Sequence, residues 1–361
     1  MWDSSRPPWH DSAGKSIKRI FRDMKIIVDE NIPFIKGRLE AVADVSYADQ
    51  FGFTPENVRD ADAIIIRTRT RANEALLGGS SVKFVATATI GTDQIDIEWC
   101  RANGIAVENS PGCNAPGVAQ YVWSAILRKG FDPQRHKLGI VGCGNVGSIV
   151  RSWGEHFGTE ILINDPPRKE GGYIDDYTDL DTLLSSCDVV TLHTPLTRDG
   201  RHPSYHLIGE REIALMKPGA ILVNAARGPV VDGNALKNAL SQRRIRAIVD
   251  TWEGEPKIDA SLLDLTEYGT FHIAGYSYEG KQRATRMVLE AVERHFGVEI
   301  DKEGLAGEYR QPAGLSVQMI LDSYDPADDD DALRIAPDKF DRLRHDYNFR
   351  HEAGCGETDK N

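Results

Sequence analysis

Three polar side chains in the second half of the chain have the types that the oxidation of an alcohol requires. They are Arg227 in NAARGPVVD, Glu255 in DTWEGEP and His272 in HIAGYS. An imidazole can accept a hydroxyl proton near neutral pH, a carboxylate can orient the ring, and a guanidinium can bind a carboxylate in a two-point fashion. Singly, each residue is explained as well by a surface, loop or packing role. We predict a catalytic group because a cofactor site precedes them.

The cofactor site is predicted from GIVGCGNVGSIV, where glycines follow an apolar strand and open a helical stripe. The first glycine permits a tight turn, the second lets the backbone approach a pyrophosphate, and the third lets the helix pack on the strand. A pyrophosphate then lies at the positive end of the helix dipole. The loop residues predicted to contact it are Gly142, Gly144, Asn145, Val146 and Gly147.

An acidic residue, Asp165, ends the next strand, EILIND. Its distance from the glycines is close to the roughly 20 residues found in dinucleotide sites, where such a carboxylate binds the ribose hydroxyls. It would also repel a 2′-phosphate, so the sequence favours NAD over NADP. The nearby Arg168 keeps NADP open as an alternative.

A basic run, RTRTR at 67–71, follows the apolar stretch AIII. In extended chain, Arg67, Arg69 and Arg71 would share one face, and Thr68 and Thr70 the other. Guanidinium groups suit phosphate, so we predict an anion site here, with a solvated basic loop as the alternative. Weaker candidates for the same role are Lys281 and Arg283.

The elements that position these groups are short apolar runs separated by helical stripes. Runs such as KIIVD and AIII form a first series, and runs such as KLGIV and AILVN form a second. This alternation predicts an α/β protein with two doubly wound parallel-sheet domains. Ligands gather beyond the carboxyl ends of parallel strands, so Arg227 and Asp250, which follow two such runs, should converge. Near the C-terminus, SYDPADDDDALRI suggests a solvated acidic turn, and KFDRLRHDYNFRHE suggests one amphipathic helix.

Composition narrows the possible partners. The 361 residues carry a formal net charge of −12, which argues against nucleic acid or an anionic membrane as the main partner. Five scattered cysteines, odd in number and without C-x-x-C spacing, indicate neither a disulfide framework nor a zinc site, so no metal is expected and a reducing cytoplasm fits best. Residues 1–23 contain no apolar signal core and are predicted to be a disordered leader.

The motifs GCGNVGS, LHTPLT, NAARGPVVD and D-x-x-E-x-E-P together resemble the D-2-hydroxyacid dehydrogenases, from Met24 to about Gly297. The resemblance implies that His272 is the acid/base paired with Glu255, and that Arg227 holds the substrate carboxylate. It also implies NAD as cofactor. Stretches such as TATIGTDQID, NSPGCNA and HIAGYSYEGK favour the branch of the family that oxidises a phosphorylated four-carbon acid. The C-terminal tail resembles the dimerisation region of that branch, which implies a homodimer.

The resemblance extends to further site residues and to the domain plan. Cofactor contacts are implied for Asp165, Thr194, Pro195, Asp250 and Gly275, and substrate contacts for Arg67, Thr68, Arg69, Thr89, Arg227 and Tyr276. The implied domains are a flavodoxin-like substrate domain (24–117 with 276–296), a Rossmann NAD domain (118–275) and a small α+β dimerisation extension (297–361). The sequence departs from the family at Gln120, where an acidic residue is common, and in a shorter C-terminal region.

Two alternatives remain open. The first is the same chemistry on another D-2-hydroxy acid, such as 3-phosphoglycerate, glycerate or lactate, for which only the pocket would differ. The second is a non-catalytic NAD-sensing protein, since a binding module can keep the same fold and residues. The clustered arginines at 67–71 favour the enzyme.

Overall fold

The computed structural model describes residues 24–355, and the predicted leader at 1–23 lies outside the described residues, as do 356–361. The described chain falls into two compact units. The first unit comprises 24–111 and 282–306, and the second comprises 112–281 and 307–355. None of the helices in the described range is long and apolar enough to cross a membrane.

The first unit is built on a parallel sheet. Its strands, within the described residues, are β1 (Lys25–Asp29), β2 (Asp44–Ala48), β3 (Ala63–Ile66), β4 (Phe84–Thr87) and β5 (Ala106–Glu108). Their order, β2-β1-β3-β4-β5, is the flavodoxin-like order that was predicted. The accompanying short helices are α1 (Pro55–Val58), α2 (Glu74–Leu77) and α3 (Ile97–Ala102). Strand β2 was missed because its DVSYA sequence is exposed or only half-buried along its whole length.

The second unit contains a longer parallel sheet. Its strands, in the part of the chain described, are β6 (Lys137–Val141), β7 (Glu160–Asn164), β8 (Val189–Leu192), β9 (Ile221–Asn224), β10 (Arg246–Val249) and β11 (Tyr268–Gly269). The order is β11-β10-β9-β8-β6-β7. After β6, the next strand β7 is added on one side and strands β8 to β11 are added on the other, so the strand order reverses between β6 and β8. Such a switch point is where α/β proteins bind ligands.

Helices cover both faces of this second sheet. They are α4 (Ala115–Arg128), α5 (Asn145–Phe157), α6 (Pro166–Glu170), α7 (Leu180–Ser186), α8 (Glu210–Leu215), α9 (Gly233–Ser241) and α10 (Ala260–Leu263). On one face Trp123 and Trp153 pack with Ile140, and on the other Leu183 and Leu236 pack with Leu222. The prediction of two doubly wound α/β domains is therefore confirmed.

A long helix, α11 (Tyr278–Phe296), begins in the second unit and continues into the first. In the first unit its side chains Val288, Leu289 and Val292 join the same apolar cluster as Ile26 and Val28 of β1. The apolar stripe of this helix explains why the chain returns to the first unit after completing most of the second.

The C-terminal region differs from its prediction. It forms α12 (Val317–Ser323), α13 (Ala327–Ile335) and α14 (Phe340–His345), and its described residues make one isolated β-bridge, Arg350 to Ser277, instead of a sheet. The predicted acidic turn is helix α13, because acidic residues are favourable in the first turn of a helix and Leu333 is fully buried. The predicted single helix ends at His345 instead of continuing to Glu352.

Candidate active site

The three predicted catalytic residues follow three neighbouring strands. Arg227 comes after β9, Glu255 after β10 and His272 after β11. These strands are adjacent and parallel, so their carboxyl ends lie on the same edge of the sheet. The structure therefore brings the three loops to one edge of the sheet, the edge for which the strand-end argument predicted Arg227 and Asp250.

Glu255 and His272 form a direct pair. Glu255 Oε1 lies 2.6 Å from His272 Nδ1, and Glu255 Oε2 accepts a hydrogen bond from the Trp252 amide at 3.1 Å. Burial on its own would raise the pKa of Glu255, but the adjacent His272, the Trp252 amide and the charge of Arg344 hold that pKa below its usual value. An ionised carboxylate can only accept, so Nδ1 carries the proton.

This arrangement leaves the other ring nitrogen of His272 available for chemistry. Among residues 24–355, no group hydrogen-bonds Nε2. The His272 side chain is 24% exposed, so the imidazole is sheltered but can be reached. With Nδ1 protonated, Nε2 has the lone pair that a general base requires.

The loop that carries His272 is held by Asp250. The Asp250 carbonyl accepts the His272 amide at 2.9 Å, and the Asp250 carboxylate accepts the amides of Ile273 at 2.8 Å and Ala274 at 3.0 Å. His272 has φ +59°, a left-handed conformation that costs energy for any residue with a Cβ. The resemblance gave Asp250 a role beside the cofactor; in the structure its buried carboxylate fixes the conformation of this loop.

Arg227 lies on a turn pressed against the Glu255 loop. The Asn224 side-chain amide donates to the Arg227 carbonyl at 3.1 Å. A Cβ placed on Gly228 would come within 2.0 Å of the Trp252 carbonyl oxygen, so only glycine permits this contact. The guanidinium is half-buried and donates to the Ala226 carbonyl at 2.8 Å. This contact fixes Nη1 of the Arg227 guanidinium, a group suited to binding a substrate carboxylate.

The predicted nucleotide loop joins β6 to α5 at the switch point of the sheet. Gly142 has φ +89°, and a Cβ there would lie 2.8 Å from the His193 carbonyl. A Cβ on Gly147 would lie 2.1 Å from the Gly142 oxygen, so this position also requires glycine. A Cβ on Gly144, in contrast, would meet no atom within 4 Å, and no side chain caps α5. The first amides of α5 therefore have no side-chain cap, and the backbone at Gly144 is not covered, as an anion site needs.

The remaining predicted cofactor residues surround this loop. Asp165 accepts the Cys143 amide at 2.7 Å and the Arg168 amide at 3.1 Å, which fixes its carboxylate beside the glycines. Thr194 Oγ1 is buried and has no hydrogen-bond partner among the described residues. The next residue, Pro195, accepts the Ser204 hydroxyl through its carbonyl at 2.5 Å. An orphan hydroxyl and an uncapped helix in one place fit a dinucleotide.

Two more of these residues have defined neighbours. A Cβ on Gly112 would lie 3.1 Å from the Asn145 side chain, so Asn145 packs on the backbone that enters α4. A Cβ on Gly275 would lie 2.1 Å from Asn114 Nδ2. Glycine at 275 is therefore required by this protein contact, whatever it does toward a cofactor. Val146 is half-buried in the first turn of α5.

In the first unit, the predicted extended geometry of RTRTR is wrong. Residues 68 and 69 form a turn, and Thr70 is buried while Thr68 is exposed, so the two threonines do not share a face. Strand β3 ends at Ile66, so residues 67–71 lie beyond it, and alternation alone cannot reveal where a strand ends. Arg67 instead donates to the Asn31 carbonyl at 2.7 Å, at the switch point between β1 and β3.

The other predicted substrate residue of the first unit, Thr89, follows β4. Its hydroxyl lies 2.7 Å from the Thr87 hydroxyl and donates to the Gly91 carbonyl at 2.8 Å. Arg69 is exposed and also makes contacts within the protein. The residues Arg67, Thr68, Arg69 and Thr89 thus lie at the carboxyl ends of β3 and β4, where a ligand of this sheet would bind.

The C-terminal region contributes residues that sequence reasoning missed. The ring of Tyr276, a predicted substrate contact, is flanked by Tyr347 and Phe349, each at 6.1 Å between ring centroids. Lys281 Nζ lies 3.6 Å from the Tyr276 ring centroid and the Arg344 guanidinium 5.5 Å. The charged and aromatic residues of the C-terminal region could have indicated a binding role. Their local sequence, however, does not show that this region folds back onto Tyr276.

No metal centre accompanies these groups in the residues described, since no cluster of three or more His, Cys, Asp or Glu side chains could hold an ion.

Comparisons with known proteins show which family this chain is similar to. Residues 117–274 match the family described as D-isomer specific 2-hydroxyacid dehydrogenase, NAD binding domain. Erythronate-4-phosphate dehydrogenase of Bacteroides fragilis is 44% identical over 92% of this chain and 98% of the relative. The protein of the same name from Escherichia coli O1:K1 / APEC is 39% identical over 91% of this chain and 92% of the relative.

Solved structures show the same fold. D-lactate dehydrogenase from Aquifex aeolicus, complexed with NAD and lactic acid, has a TM-score of 0.62 at 26% identity and covers 76% of this chain and 95% of its own. NAD+-bound 3-phosphoglycerate dehydrogenase from Entamoeba histolytica has a TM-score of 0.64 at 25% identity, with 80% and 100% covered. The curated relatives therefore share a larger part of this chain than these structures do.

Proposed function

The chain belongs to the D-isomer specific 2-hydroxyacid dehydrogenases, and from that premise we propose that it oxidises 4-phospho-D-erythronate to 2-oxo-3-hydroxy-4-phosphobutanoate with NAD. The observation that carries the proposal is the 2.6 Å contact between Glu255 Oε1 and His272 Nδ1, on the same sheet edge as the Arg227 turn. The substrate is proposed from the curated relatives, which share more than nine-tenths of this chain. The resemblance implies a role for this reaction in pyridoxal 5′-phosphate biosynthesis, and we include that role in the proposal.

The proposed chemistry uses the three residues in distinct roles. Arg227 binds the substrate carboxylate through its guanidinium fork. His272 Nε2 accepts the proton of the C2 hydroxyl, and the ionised Glu255 stabilises the imidazolium that results. NAD, when bound, supplies the acceptor for the hydride that leaves C2. The C2–O bond becomes a carbonyl, and one proton and one hydride have left the substrate.

Several residues are proposed to hold the cofactor and the rest of the substrate. The cofactor residues are Gly142, Gly144, Asn145, Val146, Gly147, Asp165, Thr194, Pro195, Asp250 and Gly275. The further substrate contacts are Arg67, Thr68, Arg69, Thr89 and Tyr276, with the arginines suited to the phosphate. We further propose that the protein is a homodimer located in the cytoplasm. Its chain is proposed to be divided into a substrate domain, an NAD domain and a dimerisation extension.

A substrate panel tests the proposal. NADH formation is followed by absorbance with 4-phospho-D-erythronate, D-erythronate, 3-phospho-D-glycerate, D-glycerate and D-lactate, with the His272→Ala variant as the inactive control. We expect the highest kcat/KM for 4-phospho-D-erythronate, at least about 100-fold above D-erythronate, because a bound phosphate contributes charge-assisted hydrogen bonds. A preference for 3-phospho-D-glycerate or D-lactate would identify a different dehydrogenase. No turnover across the panel, with tight NAD binding, would identify a sensor.

A further inference from the structure

Arg350, in the C-terminal region, makes an unusual set of contacts with the loop after His272. Its Nη1 donates to the carbonyls of Ile273 at 3.0 Å and Tyr276 at 3.3 Å, and its Nη2 donates to the carbonyl of Ala274. All three acceptors lie within four residues of the proposed general base. A guanidinium has donors in a fixed planar fork, so these contacts define the position of the loop.

The other contacts of Arg350 fix the guanidinium itself. Nη2 also donates to the Gly117 carbonyl at 3.0 Å, and Nε donates to the buried Gln120 Oε1 at 3.1 Å. The guanidinium carbon lies 4.2 Å from the centre of the Tyr324 ring. Gln120 in turn donates to the His351 carbonyl at 3.0 Å. A neutral amide at 120 can accept from Arg350 and donate to the neighbouring backbone at once, which a carboxylate could not do.

The loop is thus held from two sides by groups of opposite charge. The Asp250 carboxylate accepts the amides of Ile273 and Ala274, while Arg350 donates to the carbonyls of the same two residues. His272 begins this loop in a left-handed conformation, φ +59°. Such a conformation persists only when its surroundings over-determine it, and the two charged residues supply those contacts.

We infer that Arg350 is a positioning residue for the proposed oxidation, holding the carbonyl side of the 273–276 loop so that the His272 imidazole faces Glu255. The inference rests on the proposed function for the reaction itself. It makes the C-terminal segment part of the active site of the same chain, in addition to any role in dimerisation. Arg350 acts through the loop and is not assigned a contact with substrate.

The test compares Arg350→Met and Arg350→Lys with a matched control, Arg342→Met. Arg342 lies in the same region, but its side chain is 78% exposed and pairs with Asp346 at 3.4 Å. For Arg350→Met we expect kcat to fall roughly 10- to 100-fold, as a small displacement of a reacting group does. KM for NAD should rise by less, about fivefold at most, because Gly275 is one proposed contact among several and the glycine loop at 142–147 is untouched. The kcat of Arg350→Lys should lie between those of Arg350→Met and the wild type, because one ammonium group cannot replace the planar guanidinium. The kcat of the Arg342→Met control should match that of the wild type.

Two further readouts separate positioning from general destabilisation. The pH profile of kcat/KM should change in the Arg350 variants and not in the control. The hydrogen-bonded Nδ1 proton of His272, observed by NMR of the full-length protein, should broaden or disappear. This second signal needs no turnover, so it tests the inference even if the wild type fails on 4-phospho-D-erythronate, which would overturn only the proposed function. Arg350 variants with wild-type kcat, pH profile and imidazole signal would overturn the inference, as would parallel losses of kcat, NAD binding and Tm.

Discussion

Replacing Glu255 with glutamine keeps the shape of the side chain but removes its charge. In the native pair, one carboxylate oxygen faces His272 Nδ1 at 2.6 Å and the other accepts the Trp252 amide at 3.1 Å. Glutamine has one acceptor oxygen and one donor NH2, so it cannot serve both partners. With its NH2 toward His272, the ring proton is driven to Nε2 and the base is lost. With the glutamine oxygen toward His272, its NH2 group faces the Trp252 amide, so two donors meet and neither makes a hydrogen bond.

The expected size of the effect follows from these contacts. Losing one charged hydrogen bond and leaving one partner unsatisfied costs about 3–4 kcal/mol in the transition state, which corresponds to about 10²–10³-fold in kcat. The assay is NADH formation from 4-phospho-D-erythronate at saturating NAD. Because Glu255 has a lowered pKa, its carboxylate is ionised at neutral pH, so the full effect should be present there.

The same loop offers a matched control. Glu253 Oε1 lies 2.7 Å from His206 Nε2, which is a second carboxylate–imidazole pair two residues away. Glu253→Gln should change kcat by no more than about twofold, since exposed pairs of this kind contribute little. If Glu255→Gln retained kcat within about threefold of the wild type, or if Glu253→Gln lost as much, the assigned role of the Glu255–His272 pair would be wrong.

Three further predictions concern other parts of the site. Arg227→Ala should raise substrate KM and lower kcat, together about 10³-fold in kcat/KM, while isothermal titration shows unchanged NAD affinity; a change in NAD affinity alone would misplace this guanidinium. Asp165→Ser should weaken NAD binding about 10- to 100-fold and narrow its advantage over NADP, and an unchanged ratio would contradict the ribose role. Burial lowers the pKa of His193 to about 3 in the native state. Below about pH 6.5 the unfolded state therefore binds a proton at this residue that the native state does not bind. Urea unfolding should therefore lose about 1 kcal/mol per pH unit on acidification, with a smaller slope in His193→Gln, and equal slopes would show that this residue does not titrate as described.

The strands and strand-end loops could be predicted from sequence because their signals are local. Buried runs such as AIII and ILVN have few alternatives to a strand in a parallel sheet, and the residues that follow them must lie at its carboxyl edge. That reasoning predicts that Arg227 and Asp250 follow strands at the same edge, and they follow the adjacent parallel strands β9 and β10. Strand β11 could not be predicted in this way, because its two residues are too few to form a sequence pattern.

What the sequence could not show depends on long-range contacts. The aspartates of 328–331 suggested a solvated turn, yet Asp330 is buried and accepts the Gly269 amide at 2.6 Å, far away in the chain. Arg350 is more than 70 residues from the loop that it contacts, and its own neighbourhood gives no periodic signal. The alternation argument at 67–71 failed for a related reason, since alternation holds only where a strand continues.

The central claim is that His272 Nε2 removes the hydroxyl proton while the glycine loop holds the dinucleotide independently. The most direct measurement is turnover of 4-phospho-D-erythronate by His272→Ala, alongside NAD binding by the same preparation. Turnover should fall by about two to four orders of magnitude with NAD affinity preserved, as loss of a general base implies. Full turnover in this variant would contradict the account.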